Sequence, residues 1–282
     1  FRSSLFWYTG LLPDLAAIRD RTTGLRHKIF RVLSFGWSGA HEQWRHYTRG
    51  YLFFAALATP LVISVHSVVS WDFALGIIPG WHTTIFAPYF VAGAIHSGLA
   101  MVLTLMIPLR KLFKYEHIIT IEVLQNVAKT IVLTGLIVGL AYGTEYFIAW
   151  YSHNPIEMEQ FRWRAVGDYR WGFYFMVLCN TLTPLLFLWK KIRTSIVHLF
   201  VISLIVNFGM WWERFVIIGG GVAHGFAPHA WGLYTPTWVE FGIMIGTFCL
   251  FFFLFMMFAK HLPSVSMTEM KETVAGGHDH DA

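Results

Sequence analysis

Ionisable side chains inside otherwise apolar stretches are the residues of this 282-residue chain whose types could do chemistry, and they are few. Each costs free energy to hold away from water, so each is a functional hypothesis. His66 and Asp72 lie in the apolar run Ser64 to Phe73, and Glu213 with Arg214 interrupts the run from Asn207 to Ile218. Oxidation of a membrane-soluble quinol releases two protons and two electrons; it needs a base for each hydroxyl, an apolar slot for the ring and a redox centre nearby. Asp72 and His66 have the types for the bases. Trp71 and Phe73 suit the slot, and Arg214, next to Glu213, suits a counter-charge that keeps Asp72 ionised. On a straight helix His66 and Asp72 differ by about 9 Å in rise and about 240° in rotation, so a shared site needs another helix between them. A structural ion pair or a snorkelling arginine is the competing reading of Arg214.

The other buried candidates are His96, Glu145, Glu122, Lys129 and Asp14. Glu122 and Lys129 stand at i, i+7 on one helix face, which suits either a proton route or local pairing. Asp14 follows Pro13, where a cap or loop anchor competes with proton transfer. His96 and His198 on facing helices could in principle hold a haem, but nothing in their spacing demands it. Cys179 and Cys249 lie in separate apolar stretches with no CxxC spacing, so no metal site is expected in this chain. His278, Asp279, His280 and Asp281 read as a solvated polar end.

The elements that must position these groups are membrane helices. With 56% hydrophobic and 13% charged residues, the composition departs from that of a soluble domain. Runs at 50–71, 86–108, 123–148, 171–189, 194–218 and 238–259 approach the roughly 20 apolar residues a bilayer core requires. Phe1 to Leu12 reads as the end of a further, N-terminally truncated transmembrane helix. The net charge of +5 does not point to nucleic acid, because the cations cluster in short loops rather than along one face. Loop 13–49 holds Arg19, Arg21, Arg26, Lys28, Arg31, Arg45 and Arg49, whereas 72–85 holds no Lys or Arg. Arg110, Lys111 and Lys114, then Lys190, Lys191 and Arg193, mark the same side, and 219–237 is again free of Lys and Arg; only 149–170 is mixed. The basic loops are therefore expected in the cytoplasm, together with the C-terminus. Trp71, Trp81, Trp150, Trp171, Trp211, Trp212 and Trp238 fall near the opposite ends, as an interfacial aromatic belt would.

Three strings carry a resemblance: Phe6-Trp7-Tyr8-Thr9-Gly10-Leu11-Leu12-Pro13-Asp14-Leu15-Ala16, the Ser64 to Phe73 segment, and Glu213-Arg214-Phe215-Val216-Ile217-Ile218. They are similar to the polysulfide reductase NrfD family, and within it to the large NrfD-like subunits of bacterial alternative complex III, a quinol-oxidising assembly. Pro79-Gly80-Trp81-His82 and Phe86-Ala87-Pro88-Tyr89-Phe90 extend the resemblance along the chain. It implies two four-helix bundles with flanking helices, of which this chain would cover the second and part of the first. It also implies a quinol pocket near the outer surface beneath an iron–sulfur subunit. Asp72 and Arg214 match two residues of that pocket, while a further histidine and aspartate on earlier helices of the family have no match here.

The expected fold is thus an all-α polytopic transmembrane helical bundle, NrfD-like and N-terminally truncated. It comprises a helix end at 1–12, a cytoplasmic loop at 13–49, a six-helix domain at 50–262 and a cytoplasmic tail at 263–282. The expected function is that of a bacterial inner-membrane subunit that binds menaquinol or ubiquinol. The resemblance implies no cofactor covalently bound in this chain, with clusters and c-type haems expected in a periplasmic iron–sulfur subunit and multihaem cytochrome c subunits, beside a second NrfD-like membrane subunit. A proton-conducting or anchoring paralogue, and a secondary transporter, are the rival readings.

Overall fold

The computed structural model describes residues 2–227, 229, 231–262, 265–267 and 270, with side chains from Ser4 onward. The tail motif His278 to Asp281 lies outside the described residues. All regular elements among them are helical: α1 (Arg2–Arg21), α2 (Gly24–Leu33), α3 (His41–Ala74), α4 (Phe86–Leu112), α5 (Ile121–Tyr151), α6 (Pro155–Val166), α7 (Arg170–Val177), α8 (Lys190–Arg193), α9 (Ile196–Ala223) and α10 (Trp238–His261). A π-helical turn, Leu178–Leu182, and a 3-10 segment, Thr183–Leu188, carry α7 onward as one span, Arg170–Leu188. With α3, α4, α5, α9 and α10 it makes six helices long and apolar enough to cross a membrane, at the six positions expected from the sequence.

The chain divides into two compact units, 1–62 with 236–282, and 63–235. In the first, α1 runs past Pro13 to Arg21, into the stretch read from sequence as loop. Proline removes one backbone hydrogen bond; burial of Leu11 and Leu15 against Phe30 of α2 offsets that loss. Arg19 Nη1 donates to the Trp37 carbonyl at 2.9 Å, and Arg19 Nε donates to Asp20 at 2.7 Å, which holds the Asp20 carboxyl below its usual range. The buried Asp14 carboxylate accepts the Met267 amide at 2.9 Å, an anchoring contact.

In the second unit α4 packs on α5 and α9, and α7 closes onto α9. Half of its core is mostly aliphatic, with Leu103, Leu124, Ile131, Leu199 and Val206 fully enclosed around a single buried ring, Phe187. The other half, toward the end opposite the basic loops, is aromatic: Trp81, Phe86, Tyr89, Phe90 and Tyr142. Trp81 therefore does not serve in the interfacial belt. Gly221 has no Cβ to hold the indole off, and the buried Trp81 Nε1 donates to the Ile217 carbonyl at 3.2 Å. Trp71, Trp150, Trp171 and Trp238 are at least half exposed, as belt residues are. The loop 149–170 contains α6, started by Asn154 accepting the Ile156 amide at 3.1 Å with Pro155 in the first turn.

Candidate functional site

The site begins with a proline. Pro184 has no N–H to give, and its ring crowds the carbonyl four residues back, that of Asn180. The helix answers with the π turn over Leu178–Leu182, a form frequent at functional sites. The turn swings Asn180 into the bundle, fully buried. Gly209 makes the close approach of α9 there, since a Cβ on it would collide with Asn180 Oδ1 and Cys179 Cβ.

At this crossing lies Glu213, also fully buried. Tyr142 donates its hydroxyl to Glu213 Oε2, and Asn180 Nδ2 donates to the same oxygen at 3.0 Å and to the Tyr142 hydroxyl at 3.0 Å. Tyr89 packs edge-on to Tyr142 at 5.8 Å and closes the aromatic wall beside the carboxylate. Oε1, in contrast, accepts no hydrogen bond and faces Arg214 Nη1 at 3.8 Å. A carboxylate this deep is held by donors and a counter-charge together, because either alone would leave a desolvated charge uncompensated.

Arg214 lies over the Phe90 ring, 4.3 Å from guanidinium carbon to centroid. Its side chain is 34% exposed. The exposed part walls a groove of about 670 Å³, shared with Trp211, Phe215, Ile218, Leu233 and Tyr234. That volume falls within the range of small-molecule sites, and the lining is mostly apolar with one charged group, as such sites are. Tyr234 is fixed by its amide donating to the Tyr169 hydroxyl at 3.2 Å.

Arg214 is paired with Glu213, not with Asp72. Asp72 is exposed on the last turn of α3 and makes no ion pair among the described residues. Phe73 stands 5.4 Å from Phe90 and so one ring away from Arg214, whereas Trp71 is 51% exposed and His66 half-buried. The structure thus gathers Glu213, Arg214 and Phe73 of the expected set and leaves Asp72 and Trp71 facing outward. Of the proton-path candidates, Lys129 donates to Asn126 at 3.0 Å rather than to Glu122, and both Lys129 and Glu122 are exposed. His96 is fully buried, with Nδ1 2.9 Å from the Thr134 hydroxyl, while His198 is exposed and bound to Ser195 at 2.8 Å. Those two histidines do not form a pair of ligands. Glu145 is buried one turn along α5 from Tyr142, with the α6 cation Arg164 acting on it.

Tyr89, Tyr142 and Asn180 were not among the sequence candidates. Neutral polar groups carry little penalty signal in an apolar run, and only the bundle shows that they converge. Arg164 counted as a loop charge, although Asn154-Pro155 followed by Glu157 was a legible helix start.

A helical bundle that crosses the membrane several times, with a carboxylate network enclosed among its helices, defines a polytopic membrane protein with an intramembrane polar site. The polysulphide reductase NrfD family matches residues 21–224, and the chain belongs to that family. A Halobacterium salinarum protein named as a membrane subunit of dimethyl sulfoxide reductase is 27% identical over 286 aligned residues. The match takes in 91% of this chain and 61% of the relative, so the chain spans about three fifths of that protein's length.

Proposed function

We propose that this chain is the quinol-binding membrane subunit of a respiratory oxidoreductase complex of the alternative complex III type. It sits in a bacterial inner membrane with its basic loops and C-terminus in the cytoplasm. The observation that carries the reading is the asymmetry of Glu213: one oxygen is saturated by donors, while the other faces only Arg214, the charged wall of an apolar groove of ring-accepting size.

In this reading the menaquinol or ubiquinol ring lies among Trp211, Phe215 and Tyr234, with a hydroxyl against Arg214. Movement of the guanidinium toward that hydroxyl uncovers Oε1. The quinol O–H bond breaks, an O–H bond forms on Glu213, and the electron leaves to a cluster in a periplasmic iron–sulfur subunit. Repetition at the second hydroxyl completes a release of two protons and two electrons. Asp72 and His66, at the end of α3, are the acceptors for a quinol that binds nearer the surface. A second NrfD-like membrane subunit and multihaem cytochrome c subunits complete the proposed assembly. The relative's name supports the coarser part, a membrane partner of an oxidoreductase.

A second reading, proton conduction without quinol chemistry, is favoured by the polar ladder on the basic-loop side of the site. There Asn207 donates to Thr104 at 2.9 Å, and Thr104 lies 2.9 Å from the Ser203 hydroxyl. Quinol-dependent haem reduction in membranes carrying Glu213→Gln or Asp72→Asn separates these readings, with subunit stoichiometry as the check on assembly. Loss of rate with Glu213→Gln supports quinol oxidation at the groove, and loss with Asp72→Asn alone moves the site to α3. Full rate in both variants removes quinol oxidation from this chain.

A further inference from the structure

Glu145 is a second enclosed carboxylate, 7% exposed, on the same helix face as Tyr142. One helical turn, about 4.5 Å of rise, separates the two residues along α5. Its surroundings differ from those of Glu213 in the cleft beside it, not in the unbonded Oε1 that both share. Its Oε1 accepts no hydrogen bond from the described residues, and Nε of the buried Arg164 likewise has no acceptor. Above it lies a cleft of about 10 Å³, lined by Gly80, His82, Thr83, Glu145, Glu157 and Phe161. Such a space holds about one water. His82 is exposed and Glu157 half-buried, so the cleft leads from the carboxylate to the surface at the end opposite the basic loops.

Backbone chemistry makes the cleft. Gly80 has φ +78°, a conformation that other residues rarely adopt, and a Cβ there would stand 3.2 Å from Gln160 Cγ and 3.5 Å from Phe161 Cε2. Only glycine lets the loop rest on α6 at this height. Gln160, itself fully buried, donates to the Gly220 carbonyl at 3.4 Å and fixes α6 beneath the loop.

We infer that Glu145 is the exit relay for the protons taken up at Glu213, passing them through the one-water cleft to solvent between His82 and Glu157. This rests on the quinol reading given above. The transfer breaks the O–H bond on Glu213 and forms one on Glu145, with the Tyr142 hydroxyl, which donates to Glu213 Oε2, as the group handing the proton along α5. A water in the cleft then takes the proton from Glu145 and restores the carboxylate. The electrons have already left to the partner's iron–sulfur cluster, so the step moves charge as protons alone. The titratable and charged groups that face Glu145 are Tyr142 and Tyr146 on α5, Arg164 and Glu157 on α6, Tyr89 on α4, Glu213 on α9 and His82 in the loop. Arg164 supplies the counter-charge between transfers, and the unpaired Oε1 leaves the relay free to receive.

The test uses the assembled complex in membranes with a short-chain ubiquinol or menaquinol as donor. Glu145→Gln is expected to lower kcat about 100-fold, as loss of a proton-transfer group does. KM should stay within about twofold, because the residue does not line the quinol groove, and the solvent deuterium isotope effect should rise. Glu145→Asp should recover about a tenth or more of the rate. Unchanged kcat and isotope effect in Glu145→Gln, while Glu213→Gln is inactive, would overturn the relay and leave the quinol site standing. Unchanged turnover in both variants would instead overturn the quinol reading itself. Should Glu145→Gln fail to assemble, the rim pair His82→Gln with Glu157→Gln carries the test: slowed kcat with unchanged KM supports the exit, and wild-type kcat overturns it.

Discussion

Glu213 and Glu145 are both carboxylates enclosed in one bundle, yet the helices treat them in opposite ways. Around Glu213, α5, α9 and the π turn each contribute: Tyr142, the neighbouring Arg214 and Asn180. Around Glu145 there are an opposing charge and a water-sized space, and its Oε1, like that of Glu213, accepts no hydrogen bond among the described residues. A fully donated oxygen locks a charge in place, whereas an open oxygen beside water can gain and lose a proton without breaking protein contacts. Both groups gain and lose a proton in the proposed path; the contrast is between one whose second oxygen is fixed by donors beside the groove and one that opens onto a water-sized cleft.

The sharpest way to break this contrast is Glu213→Gln, for which quinol-dependent turnover per assembled complex should fall about 1,000-fold or more. Removing the positioning donor should cost less. Asn180→Leu leaves the carboxylate with Tyr142 alone, and loss of one donor to a charged group, about 1.5–3 kcal/mol, corresponds to a rate loss of roughly 10- to 100-fold. The pH profile distinguishes this from mere loosening of the fold, since it should shift in Asn180→Leu and not in a control of equal stability.

Gly209→Ala tests whether the site depends on the approach of α9 to the π turn. The added Cβ meets Asn180 Oδ1 and Cys179 Cβ, and a stability loss of about 1–3 kcal/mol is expected, read as an earlier thermal transition of the purified complex. Thr104→Val, in the polar ladder away from both carboxylates, removes contacts to Ser203 and Asn207. It should change stability by about 1 kcal/mol and leave turnover within about twofold; a larger loss of turnover would favour the proton-conducting reading.

The smallest expected effect concerns the loop after α9. His224 is stacked 3.7 Å from Trp231 and 4.5 Å from Trp163, and burial holds its ring below the usual histidine range, with Glu159 pulling the other way. A histidine with a lowered folded value binds its proton more readily when the loop opens. Above about pH 6.5 neither state is protonated and nothing is lost, whereas below it the open state gains the proton first and the closed loop weakens. Protection of the Gly232 amide, which donates to the Ala223 carbonyl at 3.0 Å, measured as its exchange rate against that of an unstructured amide at the same pH, should therefore fall on acidification, and His224→Phe should abolish that pH response.

Spans and family were legible in the sequence because both rest on local signals. Twenty apolar residues announce a membrane helix wherever it packs, and strings such as Glu213-Arg214-Phe215 stand contiguous in the chain. The Glu213–Arg214 half of the site was legible for the same reason, as charges in an apolar run are conspicuous. Asp72 was equally conspicuous, but its exposure on α3 and the pairing of Arg214 with its own neighbour are matters of helix rotation, which composition does not encode.

What the sequence determined by itself, then, is a multi-pass membrane chain with six helices long and apolar enough to cross among its described residues, and ionisable groups within them. Lipid leaves a chain of such composition no other way to satisfy its backbone. What only the tertiary structure decided is which groups meet. Asn180 reaches Glu213 because Pro184 forces a π turn and Gly209 yields the space, and Glu145 stays open because Gly80 and Gln160 hold a loop above it. Residues far apart in sequence converge there because helices pack by shape, and the polar contacts take the positions that packing leaves.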